Sequence, residues 1–138
     1  MMKLFDSNIL IYAFDDKSKY YKKSRELIDM PNACITNQNI IETFRVITSF
    51  EIYTNTFTPQ TAWKEINKLK EQFKVLTTRS STIDVLETLI NKYKVKSYGI
   101  YDANLVAHMI DYCVSTIYTN NPKDFLKFKE IEVINPFS

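Results

Sequence analysis

Glycine is almost missing from this chain: Gly99 is the only one in 138 residues. Loops that cradle phosphate with bare backbone need glycine at fixed steps, so P-loop and dinucleotide-binding fingerprints are excluded. Histidine is equally scarce. His108 stands alone, and with Cys34 and Cys113 it offers too few ligands for a zinc site of the usual Cys/His kind. The two cysteines lie in the apolar segments "ACIT" and "DYCVSTIY". They are expected to be small buried thiols, not a disulfide. No apolar run reaches the roughly 18 residues of a membrane span. The start "MMKLFDSN" meets a carboxylate too early for a signal peptide, which points to the cytoplasm. Repeats, low-complexity tracts and linkers rich in Pro, Gly or Ser are also lacking.

What is present is the balance of an ordinary folded domain, with 45% hydrophobic and 25% charged residues. The length suits one domain over residues 1–138. A net charge of +2 is permissive for nucleic acid without arguing for it.

Strand and helix patterns alternate along the chain. "KLF", "ACIT", "KVLTT", "VSTIYT" and "IEVI" read as strands. "SNILIYAF", the region of "YYKKSRELIDM", and "NQNIIETFRVITSF" read as helices. Further helices are predicted from Pro59, capped by Thr58, from a Ser81/Asp84 capping box, and after Gly99. Such alternation predicts an α/β fold with a short, mostly parallel sheet covered on both faces, its active site beyond the carboxyl ends of the strands.

Of 16 acidic residues, only a few stand where a solubilising charge is misplaced. Asp6 sits between a strand and a helix, as a helix cap or as part of a site. Asp102 starts the inward face of its helix, on the side of Leu105, Val106, Met109 and Cys113, where an unpaired carboxylate is costly. Glu42 points away from Ile40, Phe44 and Ile47 on a helical wheel, which by itself reads as solvated. Asn121, Pro122 and Asp124 form either a capped turn or a set of oxygen ligands at a strand end. His108 is expected to be a packed, hydrogen-bonded residue. Lysines cluster at 17–23, 92–96 and 123–129, mostly solvated faces, with the first and last flanking the proposed site.

Taken in order, "LFDSNILIYAF", "NIIETFRVI", "YDANLVAHMI" and "YTNNPKDF" resemble the four signature segments of PIN domains, and among them the VapC-type toxins of toxin–antitoxin pairs. The resemblance covers nearly the whole chain. It implies a three-layer α/β/α fold and a metal-dependent endoribonuclease. The family's three acids fall on Asp6, Glu42 and Asp102, and its hydroxyl position on Ser7. At the fourth position, where many members carry Asp, this chain has Asn121, and Asp124 could supply the charge instead. An acidic site of this kind suits Mg²⁺ or Mn²⁺. RNA is the implied substrate, with lysines on its backbone and exposed aromatics such as Tyr12 or Tyr20 as candidates to stack on its unpaired bases, core packing being the expected role of Tyr12. A small antitoxin and a second copy of the chain are the implied partners, and the aromatic "SFEIYTNTF" is a candidate interface. Two other readings are a weakened PIN-fold RNA-binding or regulatory module, and a phosphotransferase with Asp6 as acceptor. The second lacks the neighbouring aspartate such sites use for Mg²⁺.

Overall fold

In a computed structural model that describes residues 1–49 and 57–138, β1 (Lys3–Phe5), β2 (Ala33–Thr36), β3 (Lys74–Leu76), β4 (Thr116–Tyr118) and β5 (Glu132–Ile134) form one sheet in the order β3-β2-β1-β4-β5. All four pairings are parallel. Helices α1 (Ser7–Tyr12), α2 (Tyr21–Ile28), α3 (Asn37–Ile47), α4 (Pro59–Gln72), α5 (Ser80–Tyr93) and α6 (Gly99–Asp111) connect the strands. The PIN-like α/β/α architecture expected from the sequence is the one observed.

Alternation along the strands splits the core in two. Leu4, Cys34, Leu76 and Ile117 face one side and pack under α5 and α6 with Leu89, Val106 and Met109. Phe5, Ala33 and Ile35 face the other and pack under α1–α4 with Ile9, Leu27, Ile40, Ile66 and Phe73. The chain runs outward from β1 to β3, then returns to β4 on the opposite flank of β1. The order of strands therefore reverses between β1 and β4, and a crevice opens beyond their carboxyl ends at such a reversal.

Several expectations are corrected. Helix α5 begins one residue after Arg79, and Thr82, not Asp84, closes its first turn by accepting from the Arg79 backbone N–H at 3.0 Å. Asn121 precedes a short 3-10 turn (Pro122–Asp124) without a side-chain capping bond. Cys113 is exposed, lies past the end of α6 and has left-handed backbone, φ 58°. It therefore does not belong to the inward face of that helix. Cys34 is the buried thiol, pushed up to about 12 by burial. The strands predicted from "KVLTT" and "VSTIYT" stop at Leu76 and Tyr118. The proposed interface "SFEIYTNTF" lies almost wholly outside the described residues. No helix among the described residues is long and apolar enough to cross a membrane.

Candidate active site

Asp6 is the first residue beyond β1, at the strand-order reversal. Its Oδ1 caps α1 by accepting from the Ser7 backbone N–H at 2.8 Å. Its Oδ2 accepts from the Thr119 hydroxyl, one residue past β4, at 2.7 Å, and more distantly from Asn8 Nδ2 at 3.4 Å. Cap and site are thus the same carboxylate: α1 needs a cap where β1 ends, and β4 supplies a buried hydroxyl that aims the second oxygen.

Glu42 enters from α3, and the wheel reading of it as solvated is overturned. Asn39, Thr43 and Val46 are buried on the same helix, and this second face meets α1. There the Ser7 hydroxyl donates to Glu42 Oε1 at 2.8 Å. Asn39 Nδ2 donates to that same Ser7 oxygen at 2.9 Å, while its Oδ1 accepts from the Thr36 backbone N–H at 2.8 Å. Because Asn39 presents a donor, the single Ser7 proton is directed at Glu42.

Asp102 projects, half-buried, from the first turn of α6. Burial, reinforced by the negative charges of Asp124, Asp6 and Glu42, pushes its carboxyl up to about 6, against a small opposing pull from Lys127. Asp6 is also raised, chiefly by burial and less by Glu42 and Asp124, with the Thr119 and Ser7 hydrogen bonds working against the rise. The fold therefore brings Asp6, Glu42, Asp102 and Asp124 within reach of one another's fields, from four separate segments of the chain. Asn121 has no part in this field. It is exposed, and its backbone N–H donates to Thr119 Oγ1 at 3.0 Å.

Carboxylate, hydroxyl and amide oxygens are the donor set of a hard divalent cation, and mutual repulsion among the acids is what such a cation relieves. The donor chemistry therefore fits Mg²⁺ or Mn²⁺. The acids do not form a closed cage, however: among the described residues, no three Asp, Glu, His or Cys side chains are grouped so as to hold an ion by themselves. That arrangement is compatible with Mg²⁺, which keeps several waters and is commonly held by one or two carboxylates together with substrate phosphates.

Of the other residues singled out from the sequence, His108 is packed as expected, buried and satisfied, its Nδ1 bonded to the Asn104 carbonyl at 2.7 Å and its Nε2 to the Thr78 hydroxyl at 2.8 Å. Tyr12 and Tyr20 are half-buried, packed on each other at 4.8 Å and on Phe137, so they are not free stacking surfaces. Lys92 pairs with Glu130 at 2.7 Å. Thr119 and Asn39, both fully buried, were not singled out from the sequence. The Thr36-x-x-Asn39 spacing ahead of an apolar helix was the available signal for Asn39, because it is a capping-box pattern.

The sequence profile described as "PIN domain" matches residues 3–131. Among solved structures, a toxin–antitoxin complex from Klebsiella pneumoniae is similar, with a TM-score of 0.70 and 22% identity, over 97% of each chain. FitAcB from Neisseria gonorrhoeae is similar at a TM-score of 0.72 and 11% identity, over 99% of each chain. VapC20 of Mycobacterium tuberculosis, a toxin that cleaves the Sarcin-Ricin loop, is similar at 0.69 and 12%, over 91% of this chain and 95% of that one. No curated protein matches the sequence.

Proposed function

Since the chain belongs to the PIN domain family, we propose that it is a divalent-metal-dependent endoribonuclease, the toxin of a type II toxin–antitoxin pair. It would act in the cytoplasm as one PIN-like unit over residues 1–138. The observation that supports this reading is that Asp6 is raised by burial and by the charges of Glu42 and Asp124, and Asp102 by burial and by the charges of Asp124, Asp6 and Glu42. Three acids drawn from β1, α3 and α6 are expensive to keep together unless a cation is their purpose.

The chemistry a divalent ion supplies in such a site is acidification of water and neutralisation of phosphate charge during an in-line displacement. The chain's own residues prepare for it. Thr119 and the Ser7 N–H fix both oxygens of Asp6. Ser7, itself held by Asn39, donates to Glu42 and fixes the position of its carboxylate. Asp102 stands opposite, and Asp124 adds negative charge from outside. Asp6, Glu42 and Asp102 are the groups we assign to direct or water-mediated metal binding, with Ser7 and Asn121 orienting ligands or waters and Asp124 in the outer shell.

The neighbouring toxin–antitoxin structures support a small antitoxin as partner. A homodimer is the assembly we expect. The runner-up is a PIN-fold module that binds RNA without cutting it, favoured by Asn121 at the fourth position. Incubation of the full chain with an unpaired RNA, in chelator and then with added Mg²⁺ or Mn²⁺, separates the two. Cleavage that requires the ion and vanishes in Asp6→Asn and Asp102→Asn supports the nuclease. Binding without cleavage under every condition supports the module.

A further inference from the structure

A cleft of about 710 Å³ opens beside Glu42, between α3, α5 and the first turns of α6. Its size is that of a small-ligand site, and Glu42 ties one end of it to the acids. The polar groups of its wall are largely locked. Gln38 Nε2 donates to the Tyr101 carbonyl at 3.1 Å, and its Oε1 accepts from Asn104 Nδ2 at 2.8 Å. That leaves Asn104 Oδ1, the Asn37 amide and the Arg45 guanidinium without a hydrogen-bond or ion-pair partner among the described residues. At the rim stand Tyr98 and Tyr101, 83% and 53% exposed, with ring centroids 6.5 Å apart and tilted 31°.

Exposed aromatic faces, a fixed edge of amide donors and acceptors, and one cation unpaired among the described residues form a combined requirement. The occupant needs a flat π surface, a hydrogen-bonding edge and an attached anion. An unpaired nucleotide has all three: its base can lie on a tyrosine, its edge can meet Asn104 and Asn37, and its phosphate can meet Arg45. Ile41, 59% exposed, with Leu86 and Ile100 makes part of the wall apolar, so a partner's apolar face is the competing occupant, and it is the paired tyrosines, the amides and the guanidinium that favour a nucleotide.

We propose that this cleft binds an unpaired nucleotide of the RNA adjacent to the bond that is cut, so that it sets which sequence is presented to the acids. The proposal rests on the ribonuclease reading and deepens it. Tyr98, Tyr101 and Asn104 are specificity residues in this assignment and take no part in bond breaking.

The test is equilibrium binding of labelled short oligo-A, oligo-C and oligo-U to the full chain in chelator, so that no cleavage intervenes. Tyr98→Ala and Tyr101→Ala are each expected to weaken binding by about five- to a hundredfold, the range for loss of one base–aromatic stack. Tyr98→Phe and Tyr101→Phe are expected to keep the affinity. Arg45→Ala is expected to flatten its salt dependence. Equal affinity of the alanine variants and the wild type overturns the cleft while leaving the nuclease reading intact. So does the result that these variants lose self-association in sedimentation and bind RNA unchanged, which would make this face an interface between copies. Tyrosine-dependent binding by a chain that cuts no RNA with Mg²⁺ or Mn²⁺ keeps the cleft and removes the nuclease. Failure of the wild type to bind any of the three oligomers overturns the cleft and leaves the nuclease reading to the cleavage assay.

Discussion

The Ser7 hydroxyl donates to Glu42 Oε1 at 2.8 Å and is itself the acceptor of a buried amide, Asn39. This pair joins the residue after the first acid to the second acid, across 35 positions of sequence. Ser7→Ala is expected to leave the Asn39 amide buried and unpaired, at a cost of about 1–3 kcal/mol, and to free the Glu42 carboxylate to rotate. Chemical denaturation of Ser7→Ala, Asn39→Leu and the double variant should give a coupling energy of about 0.5–3 kcal/mol. Additive losses would mean that the relay is not a unit.

The raised carboxyl of Asp102 has a pH signature. With a folded value of about 6, above the usual 3.8, the native state holds its proton longer than the unfolded chain. Its contribution therefore opposes folding at neutral pH, and that penalty fades as pH falls through about 6 toward 4. In chelator, Asp102→Asn should raise the melting temperature at pH 7.5 and have little effect near pH 4.

Asp111 should do the opposite. The Thr82 hydroxyl at 2.6 Å, the Arg79 Nε–H at 2.9 Å and the Ser81 hydroxyl at 3.1 Å converge on its Oδ2, tying the start of α5 to the end of α6. Thr82 first, and then Arg79 and Ser81, hold this carboxyl below the ordinary aspartate range. Its support is present above pH 4 and lost as pH falls through the depressed value. Melting of Asp111→Asn across pH 3–7 should show a deficit that narrows only at the acid end.

Metal binding has a readout apart from catalysis. Mn²⁺ at about a hundredfold excess over its dissociation constant should stabilise the fold by about 2.7 kcal/mol. Asp102→Asn should remove most of that gain. Asp124→Asn should weaken the ion by about 10- to 100-fold, while Asn121→Ala should do less. Equal effects at 121 and 124 would contradict the assignment of the fourth charge to Asp124.

The sheet, the order of helices and the place of Asp6 were legible because periodicity and caps are local. Glu42 was not legible from physics. A wheel built on Ile40, Phe44 and Ile47 sees one core, but α3 has a second buried face of Asn39, Thr43 and Val46, whose partner α1 lies more than 30 residues away in sequence. Only the family resemblance reached that residue. Cys113 failed for a different reason: a helix pattern was carried past Asp111, where the backbone turns left-handed. In a chain with one glycine, such turns fall to other residues: Asn32 is of a type that favours them, but Lys94, Ser97 and Cys113 are not, and no composition rule marks those three.

Glu42 belongs to the layer above one face of the sheet and Asp102 to the layer below the other, each seated on its own apolar half. Their separation is therefore a gauge of how those halves settle against the strands between them. Trimming Val106 to Ala or Ile40 to Val would shift that gauge without altering any of the carboxylates.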